Sequence, residues 1–150
     1  MFEEFSVALR HVAGAPIGGQ AVHTVLTEQD FLQAQVEITA WEGYAVTPLV
    51  PLSGLAGQLG LARVDYKHEG PRFGLGSFKA LGGAYAALRV LQRQLTQQLG
   101  RDISLEEIRS GTQAEACAQI TLLSATDGNH GRSLAWGCPR FGAPRRIYIH

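Results

Sequence analysis

Ile120-Thr121-Leu122-Leu123-Ser124-Ala125 runs directly into Thr126-Asp127-Gly128-Asn129-His130-Gly131. The first six residues form an apolar run of strand length, the pattern of a strand covered on both faces. The next six form a tight turn, after which a helix is expected from about Arg132. The same order of elements occurs upstream. Ala62 to Glu69 alternates apolar and polar side chains and reads as a strand, and Gly70-Pro71-Arg72-Phe73-Gly74-Leu75-Gly76 is a loop. Ser77 then stands as the cap of the longest helix. Phe78, Leu81, Tyr85, Leu88, Leu91, Leu95 and Leu99 follow at three- and four-residue steps until Gly100 ends it. The last residues, Arg146-Ile147-Tyr148-Ile149-His150, read as another strand, one that stops without a following turn. Strand, helix, strand, helix, strand implies an α/β fold with a largely parallel sheet.

The remaining segments fill in around this frame. Thr27 is a helix cap, with Glu28 and Asp30 favourable at the positive end of the dipole, and a loose apolar stripe leads on to Trp41. Gly43 through Pro51 reads as a loop and Ser53 to Leu61 as a short helix. Ser104 and Glu107 have capping-box spacing for a helix over Leu105 to Arg109. Pro139 falls inside the helix that begins near Arg132, where proline costs about 3 kcal/mol, so that helix is expected to be kinked or short. No internal repeat interrupts the pattern.

Composition narrows the class. With 150 residues, 45% apolar and 17% charged, the sequence is that of an ordinary globular domain. Thirteen basic and thirteen acidic side chains leave no basic excess for binding nucleic acid by bulk electrostatics. Cys117 and Cys138 have no metal-ligand spacing and read as free cytosolic thiols. Met1-Phe2-Glu3-Glu4-Phe5 is acidic where a secretion signal would be basic. The most apolar stretch, Tyr44 to Val64, is broken by Pro48, Pro51, Gly54, Gly57 and Gly60 and does not suit a membrane span. A cytoplasmic enzyme is the expectation.

Both glycine-rich turns lie where parallel α/β sheets collect ligands, at the carboxyl ends of strands and the positive ends of helices. Lys79 falls in the first turn of its helix, where the macrodipole disfavours a cation. A lysine that must be uncharged suits that position, since the helix end and burial both disfavour an ammonium, and a free amine attacks a carbonyl. A solvated surface lysine is the plainer alternative. Gly82 and Gly83, one turn on, make room for a flat ligand or for a close neighbouring helix. In the second turn Asn129 offers an amide, Asp127 a carboxylate and His130 an imidazole, although an Asx-capped turn would use the same residues.

Taken together, Ser77-Phe78-Lys79 with Gly82-Gly83 and Thr126-Asp127-Gly128-Asn129-His130-Gly131 resemble the fold-type II pyridoxal-phosphate enzymes of the tryptophan synthase β-like superfamily. The longer strings Tyr66 to Leu75 and Ala125 to Arg132, with an aspartate before Gly-Asn-His, are similar to the diaminopropionate ammonia-lyase family within it. The resemblance spans roughly residues 40 to 150 and implies a three-layer parallel-sheet fold. It implies that Lys79 holds pyridoxal 5'-phosphate and moves the α-proton, that Asn129 bonds the ring's phenolic oxygen, and that Phe78 packs beside the ring. It implies that Asp127 is a second acid–base group, so that both D- and L-2,3-diaminopropionate are taken to pyruvate and ammonia. Residues 1–150 would then be the N-terminal part of the catalytic domain. The later glycine-rich phosphate loop and the residue facing the pyridine nitrogen would lie in a second half, and activity of this portion alone would be small. Gly76 stands where the family has a polar or larger residue, which implies a looser approach to the lysine. Family members are commonly homodimers acting on small amino acids. A serine or threonine dehydratase is the rival within the superfamily, and a non-catalytic remnant the rival outside it.

Overall fold

The computed structural model describes residues 26–149; Met1–Phe5, read above as unlike a secretion signal, and His150 lie outside them. The chain divides into a unit over Met1–Gln33 and a larger one over Ala34–His150. Thr27, in the first, caps helix α1 (Glu28–Thr39), whose residues from Ala34 on belong to the second; its Oγ1 accepts the Asp30 N–H at 3.1 Å. Every strand described belongs to the second unit.

Two helices organise that second unit. Helix α3 (Lys79–Leu99) begins where Ser77 Oγ accepts the Lys79 N–H at 3.2 Å and ends at Gly100 in the left-handed region. Its C-terminal half buries Leu88, Leu91 and Leu95, as the apolar steps predict. Its N-terminal half buries Ala80, Gly83, Ala84 and Ala87 instead, leaving Phe78 62% exposed. The reason is helix α6 (Asn129–Arg140), which crosses this end at close range. A Cβ on Gly83 would lie 2.5 Å from Ser133 Oγ, and one on Gly137 would lie 2.6 Å from the Ala84 Cβ. Ser133 Oγ also donates to the Ala80 carbonyl at 3.3 Å. Ala80 meets Ser133 and Ala84 meets Gly137, so the helices run in the same direction with their N-termini at one end. Helix α6 starts at Asn129, three residues earlier than expected. Pro139 sits in its last turn, and the helix stops at Arg140. It is therefore short, as the proline demands.

The strands are shorter than the sequence suggests. Strand β3 (Leu122–Ala125) pairs in parallel with β4 (Arg145–Tyr148), Leu122 opposite Arg145 and Ala125 opposite Tyr148. The expectation that β3 is covered on both faces fails: Leu123 is 64% exposed. The layer of α3 and α6 shields one side of the strand, and nothing among the described residues shields the other. The second correction is upstream. Leu49–Pro51, read as loop, forms strand β1, antiparallel to β2 (Asp65–Lys67). Leu49 and Val50 favour extended backbone, and the prolines that masked them are tolerated at a strand's ends. Between the two lies helix α2 (Ser53–Leu59).

Leu88, Leu91 and Leu95 form the core together with Ile103, Ile108, Cys117, Phe141 and Trp41. Helix α4 (Leu105–Arg109) carries both hydrogen bonds of the Ser104–Glu107 capping box, and α5 (Ala114–Cys117) follows it. Cys117 and Cys138 are free and buried, and burial pushes both thiols up. Among the described residues no helix is long and apolar enough to cross a membrane.

Candidate active site at the paired helix starts

Because α3 and α6 run in parallel, Lys79 and Asn129, the first residue of each, stand at the same end of the helix layer. The chain contains two lysines. Lys67 is engaged, its Nζ donating to the Thr47 carbonyl at 2.6 Å. The Lys79 amine has no protein partner among the described residues and is exposed. The expectation that it is buried is therefore not met: the face of α3 made by Phe78, Lys79 and Gly82 is open. The two glycines divide the roles foreseen for them. Gly83 admits the neighbouring helix, whereas a Cβ on Gly82 would meet nothing within 4 Å.

Asp127 and Gly128 form the turn between β3 and α6, and both are exposed. Gly128 (φ 61°, ψ −126°) takes the cap position, where it has no side chain to offer the helix start. The first amides of α6 are thus left to solvent or to an anion. Asn129 Oδ1 accepts from Arg132 Nη1 at 3.4 Å, which leaves its amide N–H groups to donate elsewhere. His130 is exposed and, with Gly83 and Leu134, lines a cleft of about 530 Å³ between α3, β3 and α6.

The loop that delivers Lys79 contains residues the sequence reading passed over. Arg72 is 6% exposed and makes four hydrogen bonds. Its Nε donates to Glu69 Oε2 at 2.8 Å, its Nη1 to the Ala45 carbonyl at 2.8 Å, and its Nη2 to Thr47 Oγ1 and Glu69 Oε1 at 3.1 Å each. Thr47 Oγ1 in turn donates to Glu69. The Arg72 hydrogen bonds, helped by Thr47 and by the positive charges of Arg72 and Lys67, outweigh burial and hold the Glu69 carboxyl down at about 2. The three-residue spacing of Glu69 and Arg72 around Gly70-Pro71 was a signal available in the sequence.

The site therefore offers an unpaired amine, an exposed aromatic ring, amide donors and a carboxylate beside two positive helix ends. Such a set can take an aldehyde-bearing anionic ligand, an amine facing a carbonyl and helix-end amides facing an anion.

Comparison with known proteins identifies the family of the chain. Residues 40–150 match the family described as pyridoxal-phosphate dependent enzyme. The diaminopropionate ammonia-lyase of Salmonella typhimurium is 38% identical over 106 residues, which cover 71% of this chain and 26% of the relative. That of Escherichia coli K12 is 36% identical over 107 residues, with the same coverage. The chain thus spans only 26% of the length of these curated relatives. Among solved structures, the apo form of Escherichia coli diaminopropionate ammonia lyase superposes with a TM-score of 0.65 at 34% identity, covering 79% of this chain and 31% of that one. The same enzyme in complex with D-serine gives 0.61 at 34% identity, covering 79% and 30%. On a match over most of its length, backed by shared three-dimensional structure, the chain belongs to the pyridoxal-phosphate dependent enzymes of fold-type II.

Proposed function

We propose that the chain is the lysine-bearing N-terminal part of an ammonia-lyase that converts 2,3-diaminopropionate and water to pyruvate and two ammonia. The observation that carries this reading is the unpartnered Lys79 amine at the start of α3, with Asn129 opening the parallel helix beside it. Pyridoxal phosphate, when bound, supplies the electron sink for the pair left on the substrate's α-carbon. The chain's own residues do the rest. Lys79 would hold the cofactor through Nζ and, as a free amine, would take the substrate's α-proton. Asn129 donates to the ring oxygen and so fixes the ring's orientation, and Phe78 covers one edge. Asp127, on a different loop, holds or returns a proton from a second direction. Its carboxylate, placed before Gly128-Asn129-His130, favours the diaminopropionate reading over a serine or threonine dehydratase.

The same reading makes the protein cytoplasmic, with two buried unpaired thiols in support, and homodimeric by resemblance to its family. A net charge of zero leaves it no basic excess to hold nucleic acid by bulk electrostatics.

Adding pyridoxal phosphate to the chain should produce a visible absorbance band, and borohydride reduction should fix the pyridoxyl group on the peptide containing Lys79. Lys79→Ala should abolish both. An unchanged spectrum in that variant would sink the assignment. Pyruvate release from diaminopropionate compared with serine separates the two lyase chemistries.

A further inference from the structure

We propose that Glu69, Arg72 and Thr47 act as a positioning clamp that fixes the loop from Phe73 to Ser77 and so determines where Lys79 presents its amine; what the amine does there rests on the function proposed above, but the placement of the loop does not.

Three observations converge on this inference. The clamp is built across the sequence: Arg72 reaches 27 residues back to the Ala45 carbonyl and 25 back to Thr47, pinning the loop to the segment ahead of β1. A buried ion pair gains little net stability, because desolvation offsets much of the attraction. Its clearer effect is to select one geometry, and Arg72 has a rigid fork that suits this.

The second observation is the residue that follows. Phe73 (φ 49°) is the non-glycine residue with positive φ among the described residues, a conformation that costs a bulky side chain on the order of 1 kcal/mol or more. Its ring is held 4.6 Å from Trp136 of α6 and 6.0 Å from Trp41, centroid to centroid. The loop is thus tied on one side to the segment ahead of β1 through Arg72 and on the other to α6 through Phe73.

The third observation is what lies between this anchor and the amine. Gly74 and Gly76 both have positive φ and meet no neighbour a Cβ would touch. Such a stretch carries little conformational preference of its own. Ser77, which caps the Lys79 N–H, comes next. Fixing the loop at Arg72 and Phe73 leaves Gly74-Leu75-Gly76 a short span to bridge, and removing the clamp frees it.

The test uses Thr47→Val, which keeps shape but loses the hydroxyl, Thr47→Ser, which restores it, and Glu69→Gln. Amide hydrogen exchange over Phe73–Ala80 should accelerate roughly tenfold or more in Thr47→Val and Glu69→Gln, with Leu88–Leu95 unchanged, and return to wild type in Thr47→Ser. Borohydride-fixed pyridoxyl at Lys79 should fall at least roughly fivefold in the same two variants. Unchanged loop exchange, or a rise spread equally over α3, overturns the clamp. Local opening with undiminished labelling overturns its link to Lys79. Wild-type chain that opens locally on mutation yet never labels at Lys79 upholds the clamp and defeats the proposed function instead. Should Glu69→Gln fail to fold, the Thr47 pair still decides the matter.

Discussion

Glu69 is the carboxylate with the most at stake in the described structure. It receives hydrogen bonds from Arg72 and Thr47, and Lys67 stands nearby; no other acid is bonded to Arg72. Its ordinary value of 4.5 falls to about 2 in the folded chain. A group lowered on folding stabilises the fold fully above its unfolded value and loses that contribution as pH falls through the folded one. Wild type should therefore exceed Glu69→Gln in stability by on the order of 1–2 kcal/mol at pH 7, solvent screening of a partly exposed carboxylate allowed for. The gap should narrow below pH 4.5 and close near pH 2. Denaturant unfolding at pH 7, 4 and 2.5 measures it; a gap as large at pH 2.5 as at pH 7 contradicts the assignment of the shift to this carboxylate.

Among the elements, the crossing of α3 and α6 does most to assemble the site, and small residues make it. Gly82 and Gly83 are adjacent and chemically identical, yet their substitutions should have opposite effects. Alanine at 83 would press on Ser133 Oγ and Cβ, at 2.5 and 2.9 Å, forcing the helices apart. Overpacking of this kind costs about 1–3 kcal/mol and exceeds the gain in helix propensity. Alanine at 82 meets nothing, so it should stabilise α3 by about 0.5–1 kcal/mol while adding bulk to the open face beside Lys79. Thermal unfolding of both variants, with cofactor labelling of Gly82→Ala, tests the pair. This crossing also marks how far the sequence could be read. The caps at Thr27 and Ser104, the Ser77 bond to the Lys79 N–H, the stop at Gly100 and the lysine in the first turn of its helix were visible, because each depends on neighbours within four residues. The start of α6 at Asn129, by contrast, was placed three residues late. The small-residue face of α3 was not visible, since a search for large apolar side chains favours Phe78 and Leu81 over Ala80 and Gly83. Strand β1 and the Arg72 clamp escaped for a different reason. Strand β1 pairs with residues 14 to 18 positions away, and Arg72 reaches Thr47 and Ala45 25 and 27 residues back, distances on which local pattern carries no information. Only the Glu69–Arg72 spacing of three was legible.

At the scale of the molecule, the consequence is an α/β layer with one sheet face uncovered among the described residues. Register places Leu123 beside Arg146 and Ala125 beside Tyr148, and since each pair points to one side, these four share the open face. Leu123 is 64% and Tyr148 53% exposed, and Ile149 beyond them is 76% exposed. Contiguous apolar surface of this kind drives association, and a strand with one unpaired edge gives it a template. At tens of micromolar, on the order expected for such surfaces, the chain should therefore sediment as a mixture weighted above the monomer. Leu123→Glu places a charge in the middle of the face and within reach of Arg146. Because Leu123 is already in solvent, the substitution should alter folding stability by no more than about 0.5 kcal/mol. The average mass should nonetheless fall toward that of the monomer. Equal sedimentation of the two chains across the concentration range would show that this face is not what holds copies together, and unfolding measured alongside distinguishes a surface effect from a damaged fold.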